Sequence, residues 1–234
     1  MDECRKSMAP IGELADGPAA PESPPVIVVH GLWMGRWVMA WLARRLAGAG
    51  LRVFCFGYAS VRDGLDSNAA ALRRFAARID APRVHWVGHS LGGILIMRAL
   101  AGGGCAGDGR VVMLGSPLRG SAAADRLARC AAGRTLLGRS MRDALAAPAE
   151  RWTLPLDLGI IAGTRSVGLG RLFVPDLPQP NDGAVSVAET RIPGAREFLA
   201  LPVSHSGMLV SANVARHAAD FLLRGTFAAV GGAP

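Results

Sequence analysis

Val84-His85-Trp86-Val87-Gly88-His89-Ser90-Leu91-Gly92-Gly93 changes its hydrophobic pattern partway through. The apolar run ending at Val87 has the length of a buried strand. From Leu91 to Ala101 the sequence reads as a helix with an apolar face. The junction, Gly88-His89-Ser90-Leu91-Gly92, matches G-x-S-x-G. In that pattern a serine occupies a strained strand-to-helix turn, and the small residues beside it let neighbouring backbone pass closely. Ser90 is therefore the candidate nucleophile; the alternative is a structural serine in a glycine-rich turn.

On both sides of this junction, short apolar runs alternate with longer helical stretches, which predicts repeated βα units and a parallel sheet. Strands are expected at residues 26–30, 52–58, 83–89, 110–116, 156–163 and 197–203, and helices at 36–50, 67–79, 91–101 and 208–225. The fold class is α/β: a mostly parallel central sheet of about six strands flanked by helices. Residues 120–155 interrupt the alternation with the helical fragments DRLARC and RSMRDAL. An insertion after a strand is where a cap or lid sits in such a fold, and a fixed helical connector is the alternative. Residues 1–25, rich in Pro, Ala and acidic residues, read as a disordered leader, so the domain is expected to span 26–228.

The chain has 234 residues and is 50% hydrophobic, enough for the core of one α/β domain. Its formal charge is +8, with Lys6 the single lysine among 26 basic residues. A basic surface can attract nucleic acid, anionic lipid or an acidic carrier protein. The pairs Arg44-Arg45 and Arg73-Arg74 lie in amphipathic helical patterns and read as solvated faces, so nucleic acid is not expected; transient contact with anionic lipid or an acidic carrier remains open. Cys4, Cys55, Cys105 and Cys130 are scattered without metal-ligand spacing, which suits free thiols in a reducing compartment and predicts neither metal nor cofactor. The leader has acids at Asp2 and Glu3 and no apolar core, and no later segment has the length of a membrane span. A cytoplasmic location is the expectation.

A serine hydroxyl needs a base to take its proton and an acid to orient that base. In this arrangement the chain order is serine, acid, histidine, and only His205 and His217 follow Ser90. His217 falls within the C-terminal helical pattern and reads as a solvated helix residue. His205 stands in the loop Ser204-His205-Ser206-Gly207 after an apolar strand, where a parallel sheet presents active-site residues. For the acid, Asp182 in Pro180-Asn181-Asp182-Gly183 follows the strand ending at Gly163; its alternative role is that of a turn residue. Asp157 lies at the wrong end of its strand and Asp176 in a Pro-rich loop, while Asp108 and Asp125 are the substitutes.

The anionic intermediate needs preorganised donors, and the amide of Leu91, next after the nucleophile, is one. The second is expected from the loop His30-Gly31-Leu32-Trp33, with Leu32 as donor, because Gly31 lets the backbone turn inward. His30 reads as a structural residue holding that loop. Trp33 and Met34 are placed to line a substrate pocket, while Trp37 and Trp41 share a helical face and Trp41 suits core packing.

The segments VHGL, GHSLGG, Gly115-Ser116-Pro117-Leu118-Arg119-Gly120-Ser121 and NDGAV together resemble the bacterial lipase and esterase branch of the α/β-hydrolases, from Val26 to about Phe221. The resemblance implies an α/β-hydrolase fold, with Ser90, Asp182 and His205 as triad and Leu32 and Leu91 as oxyanion donors. Secreted lipases of that branch carry a signal peptide and often a calcium site or disulfide, none of which this sequence shows clearly, so the expectation is an esterase acting on small-molecule ester or acyl substrates. Two alternatives are thioester cleavage on a carrier or CoA and a catalytically silent homologue that binds a ligand or partner.

Overall fold

A computed structural model describes residues 24–103, 109–167 and 177–228. Most of the leader reading, Cys4, Cys105, Asp108 and Asp176 lie outside the described residues. Six strands form one sheet: β1 (Pro25–Val29), β2 (Arg52–Phe56), β3 (His85–His89), β4 (Arg110–Leu114), β5 (Asp157–Gly163) and β6 (Glu197–Leu201). Their order is β2-β1-β3-β4-β5-β6. Every pairing is parallel, so the sheet is more uniform than the mostly parallel one expected.

Side chains alternate across a strand, and the two faces of this sheet feed two separate cores. Ile27, Val29, Trp86, Val111 and Met113 face one core, together with Leu72 of α2 (Leu65–Ala76) and Leu95 of α3 (Leu91–Ala101). Val26, Val28, Val87, Val112 and Leu114 face the other, with Leu46 of α1 (Ala40–Gly48) and Phe221 of the C-terminal helix. Strands buried on both faces read as apolar runs, which explains why β1 and β4 stand out in the sequence, whereas β6 is only partly covered.

Helix boundaries differ from the expected ones. The first helix is preceded by a 3-10 turn at Arg36–Met39, and Trp37 is 76% exposed there instead of joining Trp41 on a packed face. Trp41 is partly buried, with the Arg45 guanidinium 4.4 Å above its ring. The expected helix 208–225 is two elements: a 3-10 turn at Ser206–Val210, then a helix at Ala212–Arg224. Ser211 separates them, because its side chain accepts a hydrogen bond from Val214 N–H and so caps the second. His217 is 1% exposed, so the solvated role expected for it is wrong; it lies on the side of the helix that packs on the sheet.

Residues 120–155 hold α4 (Ala122–Ala128) and α5 (Ala131–Ala146). Helix α5 breaks at Gly138, whose φ of 68° a side chain would strain. A Cβ there would stand 2.5 Å from Val61 O, so the glycine permits the helix to touch the loop after β2. Arg139 N–H donates to that carbonyl at 2.8 Å. Asn68 Nδ2 donates to Ser140 Oγ and Ser140 Oγ to Asp63 O, both at 2.8 Å. Leu137, Met141 and Ala144 are buried in the same core as α2 and α3, so the insertion is a cover anchored by packing and buried hydrogen bonds.

A short α6 (Val187–Thr190) follows β5, and α7 is the helix Ala212–Arg224. Glu189 completes a capping box with Ser186 and also accepts from Ala122 N–H at 2.6 Å, tying α6 to the cover. Among the described residues, no helix is long and apolar enough to cross a membrane.

Candidate active site

The chain runs from β1 outward to β2 and then returns to the far side of β1 to form β3. Where the order reverses, the carboxyl ends of β1 and β3 diverge and leave a crevice, the preferred ligand site of open α/β sheets. His30-Gly31-Leu32 leaves β1 at this crevice and Ser90 follows β3.

Ser90 has φ 55° and ψ −125°, an unusual backbone state for a serine, and immediately precedes α3. Its amide donates to Leu114 O at 2.9 Å, which ties the turn to β4. Close backbone approach explains the flanking glycines. A Cβ on Gly92 would stand 2.3 Å from Val29 O, and one on Gly88 would stand 2.5 Å from Gly93 Cα. Leu91 opens α3, so its amide has no partner within the helix. Gly31 passes so close that a Cβ there would lie 3.0 Å from Ser90 Cβ, which brings the Leu32 amide to the same end of the crevice.

The loops after β5 and β6 meet at Asp182 and His205. His205 Nδ1–H donates to Asp182 Oδ2 at 2.7 Å, and His205 N–H donates to Asp182 O at 2.9 Å. The other carboxylate oxygen of Asp182 accepts from Ala184 N–H at 2.9 Å and Val185 N–H at 2.7 Å. Asp182 is 1% exposed, so its charge is buried but fully hydrogen-bonded. Because Nδ1 is the donor, His205 Nε2 keeps a lone pair that can accept a proton. Gly115, with φ 56°, lies beneath the pair: a Cβ there would be 3.0 Å from Asp182 Oδ2 and 3.2 Å from His205 Nδ1.

His89 joins the elbow to this pair, a link that sequence reading missed. Its Nε2–H donates to His205 O at 3.0 Å, and the two rings lie 4.7 Å apart. Burial, reinforced by the neighbouring His205, pushes its pKa down to about 3, so the ring stays neutral. The signal available in the sequence was a histidine at the end of the strand that leads into the elbow. Among the described residues, no hydrogen bond joins Ser90 Oγ to His205. Such bonds are often long until substrate is bound.

His30 holds the β1 loop: its Nδ1–H donates to Gly31 O at 2.8 Å, Nε2 accepts from Tyr58 N–H at 3.3 Å, and its ring stacks on Tyr58. Trp33, at φ 59°, is 52% exposed, and its indole N–H donates to Leu136 O of α5 at 2.7 Å. Leu32 packs against the α2/α3 core and Met34 against the α1/α7 core, so Met34 points away from the side on which Leu32 packs. Asp157 pairs with Arg196 at 3.3 Å at the amino end of β5, and Asp125 is an exposed residue of α4. Neither reaches His205 by a hydrogen bond. Among the described residues, no group of three or more His, Cys, Asp or Glu could hold a metal ion.

A single parallel sheet with a strained serine elbow at its switch point, and a buried aspartate-histidine pair on the neighbouring loops, defines the α/β-hydrolase fold class. The chain belongs to the alpha/beta hydrolase family, whose model matches residues 26–231. Among curated proteins, none matches it. The mature form of Bacillus licheniformis lipase BlEst2 is 23% identical, with 88% of this chain and 94% of that one covered at a TM-score of 0.63. The metagenomic carboxyl esterase MGS0156 is 18% identical, with 80% and 66% covered at a TM-score of 0.62. The thioesterase domain SrfTE, which cyclises the lipopeptide antibiotic surfactin, is 18% identical, with 87% and 91% covered at 0.51. At these identities the likeness is one of fold.

Proposed function

We propose that this chain is a serine hydrolase of carboxylic esters that works through an acyl-enzyme on Ser90, with no cofactor. The observation that carries the reading is the 2.7 Å bond from His205 to a buried Asp182, held beside the elbow through His89. His205 Nε2 takes the Ser90 proton as Oγ attacks the ester carbonyl, and the C–O bond then breaks as the proton passes to the leaving alcohol. Water, deprotonated by the same nitrogen, releases the acid. The amides of Leu91 and Leu32 receive the oxyanion of each tetrahedral intermediate.

The reading is tested with p-nitrophenyl butyrate and a fluorophosphonate probe. Wild type is expected to hydrolyse the ester and label at Ser90, and Ser90→Ala to do neither. Full activity in Ser90→Ala would overturn the mechanism. An unlabelled, inactive wild type would identify a silent homologue.

A further inference from the structure

A cleft of about 470 Å³ opens between the loop after β2 and the kinked helix α5. Arg62, Arg134, Arg139 and Arg142 line it, with Thr135 and Gly138 between them. It contains none of Ser90, Asp182 or His205. Arg62 is paired with Asp63 at 3.2 Å. The other three have no carboxylate partner among the described residues. Arg134 and Arg142 each donate to a main-chain carbonyl, Ala128 O and Gly138 O, at 3.0 Å, which orients the guanidiniums without neutralising them. Arg139 and Arg142 stand three residues apart on the helix and repel, and with Arg134 lining the same cleft the three guanidiniums favour an anion there.

Trp33 connects this cleft to the site. Its amide donates to Ser60 Oγ at 3.2 Å, next to Val61 of the loop wall, and its indole to Leu136 O at 2.7 Å, next to Thr135 of the helix wall. Both walls are thus tied to the residue after Leu32, and Gly31 to Trp33 spans at most about 10 Å of chain. These contacts make the cleft a neighbour of the β1 loop, whose Gly31 lies against Ser90.

We infer that the arginine cleft binds the phosphate of a phosphorylated acyl substrate, in the part that leaves when Ser90 is acylated. This rests on the hydrolase reading above. Planar guanidiniums suit phosphate because each can offer two parallel N–H donors. The phosphate can come from a soluble phosphopantetheine-type thioester, whose acyl C–S bond breaks and whose thiol leaves, or from a phospholipid, whose acyl C–O bond breaks and whose alcohol leaves; in both, Ser90 Oγ takes the acyl group and His205 passes the Ser90 proton to the leaving atom.

Two matched pairs of substrates each differ in one phosphate: S-butyryl-4′-phosphopantetheine against S-butyryl-pantetheine, and lysophosphatidic acid against the monoacylglycerol of the same chain. In at least one pair, kcat/KM is expected to be tenfold or more higher for the phosphorylated member at low salt. That ratio should collapse toward one in Arg139→Gln/Arg142→Gln, mainly through KM, and fall with added NaCl. The pair that responds identifies the source. Arg134→Gln/Arg139→Gln is the second variant should the first melt early. A ratio near one for both pairs in wild type, or one unchanged in a folded variant, would overturn the inference. Pyrophosphate binding by calorimetry, in the Ser90→Ala protein with and without the arginine changes, separates the two readings. Binding that needs the arginines, alongside a wild-type protein that hydrolyses no ester or thioester, would sink the hydrolase reading alone, and wild-type hydrolysis without such binding would sink the cleft.

Discussion

Asp182 Oδ2 accepts the Nδ1–H of His205 at 2.7 Å while its partner oxygen is held by two backbone amides, so the carboxylate has one orientation. Replacing it with asparagine keeps the size but can present an N–H to Nδ1, which selects the wrong imidazole tautomer. Asp182→Asn is expected to lower kcat on p-nitrophenyl butyrate by roughly 10³ to 10⁴-fold. A loss under tenfold in a folded variant would remove Asp182 from the mechanism.

Gly115→Ala combines an unfavourable positive φ with a methyl group pressed against the Asp182–His205 pair. The backbone cost alone is about 1–2 kcal/mol. Esterase activity should fall more than stability does, since the methyl group displaces the acid and base directly. Parallel urea titrations and ester assays check this, and wild-type kcat in the variant would refute it.

Ser140 links Asn68 to Asp63 inside the protein. Ser140→Ala removes the shortest acceptor of Asn68 Nδ2, which keeps only longer bonds to Ala59 O and Asp63 O, and removes the hydroxyl donor to Asp63 O, at a cost of about 0.5–1.5 kcal/mol. Denaturant unfolding should show that loss. Limited proteolysis should show cleavage near α5 if these bonds anchor the cover, and an unchanged digestion pattern would count against that role.

Burial and the nearby Arg110 and Arg83 push the His85 pKa down to about 4, and His89 is held at about 3. From pH 6.5 down toward 4 the unfolded chain binds protons that the native protein refuses, so stability must fall as pH falls. Each histidine contributes a slope of up to about 1.4 kcal/mol per pH unit in that window. Urea midpoints measured from pH 7 to 4.5 should show the decline, and His85→Gln should flatten it. A midpoint independent of pH over that range would contradict both shifts.

Much of this architecture was legible because the centre of the sheet is buried on both faces, so that Val26–Val29 of β1 and Val111–Leu114 of β4 appear as unbroken apolar runs. Chain order and positions after strands suggest Ser90, Asp182 and His205, and the structure adds the hydrogen bond between the last two. Helix ends were harder. The Ser211 cap breaks a pattern whose apolar residues continue through it, and hydrophobicity alone misplaced His217, which is turned toward the sheet. The arginine cleft was hidden because Arg134, Arg139 and Arg142 look like any solvated helix face until Gly138 brings Val61 against them. His89 was read only as the variable position of the elbow motif, and its bond to His205 spans 116 residues of sequence.

The chain enters the sheet at Pro25, at the amino end of β1, about 17 Å from the crevice at that strand's other end. It leaves by the same edge: Leu222 O accepts from Arg110 at the start of β4, and Gly225 O from Arg196 just before β6. Both exits therefore face away from Ser90. A purification tag, a surface tether or a fused neighbouring protein at either exit would leave the crevice mouth open, and the shared edge suits the domain to circular permutation.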